Sequence, residues 1–556
     1  MNKYRLRFVP LGGVVGVTKN MYVYELYQEG QLKDILIVDC GIGFPNDESL
    51  GVDFVIPDIS YLKDKKDKIR AIILSHGHED HTSALPYHYQ ALGSPPVFTG
   101  RLTASFVTNK FKETAQKVNI SQIDYNKEYV FGDFRVHFIN ITHSIPDTLH
   151  MVIKTPIGNI YHGTDFKLDL TPPYGKFPDF YKITKFSQEG ILCLLSDCLG
   201  AETPGLTLSE KVVGKTFDEE MRSTKGKFIM TTFSSNISRI RQCLESALKF
   251  NRKLVFMGRS MRDNTQLAAE LGYLPLKKEI LAKEEQVMRM PPNKICLIVA
   301  GSQGQYNSAL AKMADNQNPN IKIKPGDKVV FSSDPIPGNE NEVYALIEEL
   351  TLLGADVIYP DIQDQLHASG HGNQEDLKFL MRLVNAKYLI PIGGTVRHQR
   401  QYLRLAQDLD YPRENIFLLN EGETVWFDRN QLKRGEEIDT EKIYVDAYGI
   451  GDVGNVVLRD RRTIASEGIA VVVLTLNKSG QMVSPPRFIS KGFIYEAKEE
   501  SMMKEAGAII AKWLKPRPGK VINPSNIKRE VAKELEKFFL EQRGRKPLII
   551  VDIIEV

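Results

Sequence analysis

Seven consecutive residues hold the densest chemistry in this sequence: Ser75-His76-Gly77-His78-Glu79-Asp80-His81. Their three imidazoles and two carboxylates follow directly on an apolar run at 71–74, so they fall where a strand ends in a loop. His76 and His78 are two apart, and an extended backbone sends both rings to the same side. Asp80 and His81 come as the chain turns into a helix, within reach of a neighbouring position. Such a set suits two divalent cations that share one water and lower its pKa towards neutrality. The plain alternative is a solvated polar loop, which leaves the crowding of ligand types unexplained.

Two further ligand types stand at strand ends: His143 in Thr142-His143-Ser144-Ile145-Pro146-Asp147 and Asp165 in His162-Gly163-Thr164-Asp165. Either alone reads as structural. In order, HxHxDH, a His about sixty residues on and an Asp about twenty later resemble the metallo-β-lactamase superfamily. That resemblance implies a four-layer αββα sandwich with metals at the sheet edge.

More motifs narrow the likeness. Asp197 in Leu195-Ser196-Asp197, His371 in His367-Ala368-Ser369-Gly370-His371-Gly372, and Pro391-Ile392-Gly393-Gly394 resemble the three added motifs of the β-CASP nucleases. Gly301-Ser302-Gln303-Gly304, Pro337-Gly338-Asn339-Glu340 and the run 451–462 (GDVGNVVLRDRR) are similar to the ribonuclease J family, a likeness that runs from about residue 5 to residue 556. The resemblance implies a first metal on His76, His78, His143 and bridging Asp165, and a second on Asp80, His81 and Asp165. It implies zinc, with manganese or magnesium the alternatives, and catalytic roles for Asp80, Asp197 and His371, of which His371 and Asp197 assist proton transfer to the leaving oxygen. Ser235, His367 and Ser369, with His371, match its pocket for a substrate phosphate, where hydroxyls and glycine-flanked N–H groups are the needed donors. Asp53 and Asp446 match acidic positions that hold a structural cation, calcium, in some members. One departure stands out: where the family carries Pro-Val-His-Gly-Glu, this chain has Pro391-Ile392-Gly393-Gly394-Thr395, so the second metal loses an imidazole and is expected to bind weakly. His398, five residues on, is a candidate substitute, although a surface or RNA-contact role is the commoner one for such a residue.

The elements that must position these residues follow from periodicity. Short β runs at 6–11, 35–39, 71–75, 135–141, 159–163 and 191–197 alternate with glycine-rich loops. From about 210 the rhythm becomes strand–helix–strand, with buried parallel strands at 228–232, 253–257, 295–300, 328–331 and 356–359 and helices at 238–250 and 339–353. The expected fold is α/β: a metallo-β-lactamase sandwich in two parts (1–209 and 366–428) around an inserted β-CASP domain (210–365). A charged linker (429–463) and a small C-terminal α/β domain (464–556) follow. The last domain opens on a strand at 469–476 and a turn at 477–480, with a second strand near 489–495. Its last helix starts at Asn523-Pro524 and buries Ile527, Val531, Leu535 and Phe538, before a final strand at 548–554. It is too small to bury much core alone, so docking or oligomerisation, as homodimer or homotetramer, is its expected role.

With 556 residues the chain exceeds one hydrophobic core. No apolar run approaches the roughly 18 residues of a membrane span, and the start lacks a signal-peptide pattern. Five scattered cysteines form no CxxC pair and read as reduced core thiols of a cytoplasmic protein. A net charge of +3 is too small to argue for nucleic acid. Ten Lys or Arg between 515 and 546 face four Glu, either a solvated helix face or a patch that steers RNA. The expected function is ribonuclease J-like RNA hydrolysis, 5′-to-3′ exonucleolytic with some endonuclease action, alone or with partners in an RNA-decay complex. Two alternatives stay open: a small-molecule hydrolase of the same superfamily, and an RNA-binding or scaffold subunit with a weakened metal site.

Overall fold

A computed structural model gives the architecture and describes residues 4–45, 49–428, 431–446, 449–451, 453–478, 480–493, 496–514 and 524–556. The chain divides into two compact units, residues 1–44 with 55–443 and residues 45–54 with 444–556.

In the first unit, an eight-stranded and a six-stranded sheet stack face to face. Alternation along each strand sends Leu6, Phe8, Tyr24 and Leu36 from one sheet, and Phe134, Phe138, Met151 and Leu195 from the other, into one buried core. The second sheet's outer face carries Val152, Tyr161 and Leu389. It is covered by helices Phe180–Gln188, Gln374–Val384 and Val396–Asp408, through Ile183, Leu377, Leu380 and Tyr402. Helix Arg101–Glu113 lies beside strands Val97–Thr99 and Ile120–Gln122 of the first sheet. This is the αββα order that the motifs imply.

Strand direction brings the chemistry to one edge. Strands Asn159–His162, Ile191–Asp197 and Tyr388–Ile392 are parallel neighbours. Phe134–Asn140 is antiparallel to Leu149–Lys154, which is antiparallel to Asn159–His162, so it runs with the parallel set. His143, Asp165, Asp197 and Gly393 therefore all leave the sheet at the same, carboxyl-terminal edge, where an open α/β sheet offers its loops to a ligand. In the facing sheet, Ile69–Ile73 runs parallel to Gln31–Val38 and Val97–Thr99, and its end feeds the loop from Ser75 to His81.

Residues 210–365 hold a wholly parallel five-stranded sheet in the order Lys253–Met257, Ile295–Val299, Phe228–Thr231, Lys328–Phe331, Asp356–Ile358. The first strand in sequence lies in the middle. The connections leave it to one side and later resume on the other, so the crevice at its carboxyl end, where Ser235 follows, is a topological switch point.

The second unit is built on strand Ile469–Leu476, paired antiparallel with Arg487–Lys491 and parallel with Leu548–Glu555. Helices Glu496–Trp513 and Pro524–Arg543 bury one face through Ile510, Ile527, Val531, Leu535 and Phe538. The stretch expected as a linker is structured in part. Leu432–Arg434 pairs with Val425–Phe427 in the first unit, and Asn455–Glu467 is a helix whose Leu458 packs on Val52 and Val453 in the second. Its charged residues line the exposed side of elements held by a few apolar contacts, so composition concealed them. The second strand begins two residues earlier than expected, and Lys515, Arg517, Lys520, Asn523 and Tyr495 lie outside the described residues. All five cysteines are buried and unbridged. Among the described residues no helix is long and apolar enough to cross a membrane.

Candidate metal centre

Three overlapping groups of ligand atoms meet at the sheet edge: His76, His78, His143 with Asp165; Asp80, His81 with Asp165; and Asp165 with Asp197 and His371. Asp165 belongs to all three. Its Oδ2 lies 3.8 Å from His76 Nε2, 3.3 Å from His81 Nε2 and 3.9 Å from both His143 Nε2 and His371 Nε2. One carboxylate oxygen thus faces both proposed metal positions.

Outer hydrogen bonds set which ring nitrogen points inwards. Ser75 Oγ donates to Asp39 Oδ2 at 2.8 Å, so it accepts from His76 Nδ1 at 3.0 Å and leaves His76 Nε2 bare. His143 Nδ1 donates to the Gly370 carbonyl at 2.6 Å, which leaves its Nε2 bare as well. Both bare nitrogens face His78 Nδ1, at 3.0 and 3.2 Å. His81 Nδ1 is held by Asp39 Oδ2 at 2.7 Å, the carboxylate–histidine pairing that orients metal ligands. Ser144 Oγ lies 3.2 Å from His78 Nε2 and can take that nitrogen's proton, which leaves Nδ1 bare. Lone pairs so converging repel unless a cation lies among them, and imidazoles with carboxylates suit zinc-like ions. The donor set therefore fits divalent metal. Burial lowers the pKa of His78 to about 3, and burial with neighbouring imidazoles drives His76 well down, so both are neutral and able to ligate. At His81 burial works the same way, but Asp165, Asp80 and Asp39 outweigh it and hold the ring's pKa far up. A bound cation would take the place of that proton.

Several features escaped the sequence reading. Asp39 orients His81 and receives the Ser75 N–H at 2.7 Å, yet it lies 36 residues from Ser75 and carries no motif. Asn20 Nδ2 stands 3.0 Å from His81 Nε2 and 3.4 Å from Asp80 Oδ2, sixty residues away in sequence. Gly41 is fixed by contact: a Cβ there would stand 1.5 Å from the Asp80 carbonyl oxygen, so only glycine lets the backbone of 79–81 close on this loop. His76 is wholly buried, which a strand-end loop did not suggest.

At Gly393 the backbone has φ +68°, and a Cβ would stand 3.4 Å from Asp197 Oδ1 and 3.7 Å from Asp165 Oδ1. A side chain at 393 would thus point at the metal centre, as the resemblance implies for the histidine at that position. His398 does not replace it. Its Nδ1 accepts the Thr395 N–H at 3.2 Å in a helix cap and its Nε2 faces Glu202 Oε2 at 3.3 Å, so it is a buried cap and not a surface residue.

Beside these candidate ligands, His371 Nδ1 lies 2.7 Å from Asp197 Oδ2. Burial disfavours its charged form, but Asp197 and Asp165 outweigh that and lift its pKa to about 9; cations bound alongside would draw it down again. Ser369 Oγ accepts the His371 N–H at 3.0 Å, and His367 and Ser369 are partly exposed on the loop between the two domains. Ser235 precedes helix Ile237–Lys249. Asp53 and Asp446 fall in no group of three ligand residues among the described residues, and Asp446 pairs instead with Arg461 at 3.1 Å.

An αββα sandwich with this ligand set at its carboxyl edge defines a metal-dependent hydrolase of the metallo-β-lactamase fold. Comparison with known proteins narrows the class. The β-lactamase superfamily domain matches residues 36–172, the ribonuclease J β-CASP domain 225–350 and the ribonuclease J C-terminal domain 456–556. Ribonuclease J2 of Bacillus subtilis is 36% identical over 100% of this chain and 99% of its own length. Ribonuclease J 1 of Streptococcus pyogenes is 35% identical over 97% of this chain and 96% of its own. Among solved structures, a protein of unknown function from Enterococcus faecalis shares the fold, with a TM-score of 0.54 at 14% identity, over 76% of this chain and 100% of its own. The chain belongs to the ribonuclease J family.

Proposed function

We propose that this protein hydrolyses RNA phosphodiester bonds as a 5′-to-3′ exonuclease with some endonuclease action. The observation that carries this reading is the convergence of His76, His78, His143, Asp80 and His81 on Asp165, beside a domain-insertion loop that carries His367, Ser369 and His371. Ions held there, two in number and zinc in kind with manganese or magnesium as alternatives, would supply Lewis-acid activation of water and neutralise phosphoryl charge. The chain's own part is distinct. Asp39, Ser75 and the Gly370 carbonyl orient the ligand rings, and Ser235, His367 and Ser369 hold a terminal phosphate. His371, steadied by Asp197, delivers a proton to the departing 3′ oxygen. A small-molecule hydrolase has no use for the inserted domain over the site. The cytoplasm suits its buried thiols, and the second unit's small core suits a homodimer or homotetramer, or a place in an RNA-decay complex.

Gly393 favours a second reading, a weakened subunit that binds RNA or scaffolds other nucleases. Metal content of the purified protein, measured together with cleavage of a 5′-monophosphorylated RNA, separates the two. Metal-dependent cleavage supports the enzyme; RNA binding without cleavage at saturating zinc or manganese supports the scaffold.

A further inference from the structure

The inserted domain and the metal domain are tied by a buried ion triad that no metal ligand or phosphate contact requires. Glu210 accepts from Lys167 Nζ at 3.0 Å and from Arg239 Nη2 at 2.9 Å, and all three side chains are buried. Lys167 stands two residues after Asp165, while Arg239 stands in the first turn of the helix that follows Ser235. The Arg239 guanidinium then spans the switch-point crevice. Its Nη1 turns two hydrogens towards three acceptors, the Ser332 carbonyl at 2.8 Å, Ser332 Oγ at 2.7 Å and His367 Nδ1 at 3.1 Å, and its Nη2 reaches the Ala368 carbonyl at 3.3 Å.

One of these contacts decides a proton. Arginine only donates, so His367 Nδ1 can only accept, and the proton of the neutral ring must sit on Nε2. The Asp334 carboxylate, 3.5 Å from Nε2, agrees with a donor there. Burial, with the Arg239 charge adding to it, holds His367 down near a pKa of about 4 against the pull of Asp334, so the ring stays neutral.

We propose that Arg239 is the positioning residue of the terminal-phosphate pocket: it fixes His367 as the Nε2–H tautomer, a donor that faces the exposed Asp334 carboxylate in the free protein and turns to the substrate's 5′ phosphate when that binds, and it locks the loop 366–369 against the helix behind Ser235. This rests on the phosphate-pocket reading of Ser235, His367 and Ser369. Through Glu210 and Lys167 the same guanidinium sets that pocket's distance from Asp165, and hence from the bond to be cut.

The test uses the full-length protein and one RNA oligonucleotide with a 5′-monophosphate or a 5′-hydroxyl. Wild type is expected to favour the monophosphate; equal rates on both ends would overturn the pocket reading itself. Given that preference, Arg239→Lys should lose about tenfold of it, the scale of one charge-assisted hydrogen bond. The loss should appear in KM for the monophosphorylated RNA, with kcat changed less than about threefold. Arg239 is buried, so a second pair leaves it in place. His367→Gln presents an amide N–H near the Nε2 position and should keep most of the preference, whereas His367→Asn presents it near Nδ1 and should not. An R239K protein with the wild-type preference, or an H367N protein equal to H367Q, would overturn the proposal.

Discussion

His371 Nδ1 and Asp197 Oδ2 are 2.7 Å apart, and Asp197 is 1% exposed. A carboxylate so buried can hold the imidazolium better than water does, which suits a group that must carry a proton until the leaving oxygen needs it. Asp197→Asn removes the charge and keeps the shape. The raised pKa of His371 should then fall, so the alkaline limb of the kcat profile should move to lower pH, with kcat reduced about a hundredfold at its optimum. An unmoved limb would show that another group supplies the proton.

The ligand rings predict how metal and stability are linked. Metal binds the folded centre, so added zinc should raise the melting temperature of chelator-treated protein. His78→Ala should abolish cleavage and most of that rise. Asp165→Asn should cut bound metal at both positions, since its Oδ2 faces ligands of both. Wild-type stoichiometry in D165N would exclude a bridging role. His76 is less clean a probe, because it is fully buried and His76→Ala also leaves a void.

The candidate metal ligands stood out because a short loop concentrates them: three histidines within six residues show themselves without any fold. Strand runs were legible because period-two alternation and parallel apolar runs mark them, down to the ends of 191–197 and 253–257. What stayed hidden depends on contacts between distant segments. Asn20, Asp39 and Arg239 are ordinary residues in ordinary stretches, and only the stacked sheets and the inserted domain bring them to the centre. The end of the expected linker was hidden for a related reason: helix Asn455–Glu467 carries a central charged run, 459–462, and Val52, from another segment, helps bury its Leu458.

Ser235 and Ser369 would offer the proposed phosphate pocket two hydroxyls. Replacing both with Ala should narrow the rate advantage of 5′-monophosphorylated RNA over triphosphorylated and hydroxyl-ended RNA. Ser369 also receives the His371 N–H at 3.0 Å, so Ser369→Ala alone should lower kcat more than Ser235→Ala alone. Equal effects of the two on kcat would count against that coupling.

The triad around Glu210 has a pH signature. Burial opposes its charge, but Arg239 and Lys167 outweigh that and hold its pKa at about 2, against about 4.3 in an unfolded chain. A depressed pKa contributes stability above the unfolded value, lost as pH falls through the folded one. Glu210→Gln leaves two buried cations without their carboxylate and should destabilise the first unit by about 3–5 kcal/mol at pH 7. The gap in melting temperature between wild type and E210Q should shrink between about pH 4.3 and pH 2. A gap that stays constant over that range would mean the loss is one of packing alone.

The last expectation concerns Gly393. The first metal position has four proposed ligands and the second three, so the purified protein should retain one ion through dialysis against a mild chelator and need added metal for full activity. Gly393→His should restore the second ion. Space permits it, since a Cβ would meet Asp197 and Asp165 at 3.4 and 3.7 Å, ordinary contact distances. The backbone opposes it: φ is +68°, which costs a side-chain-bearing residue roughly 1–2 kcal/mol. Asp39, at φ +62° in the same centre, shows that this fold holds a non-glycine residue in that conformation when other bonds support it. G393H should therefore melt lower than wild type when stripped of metal and recover that loss, or exceed it, on adding zinc. Its activity should saturate at lower metal concentration. Two ions held equally tightly by the wild type would mean that another group already completes the second position. His398 is committed to Thr395 and Glu202, so Asn20, 3.0 Å from His81 Nε2, is the residue to replace next.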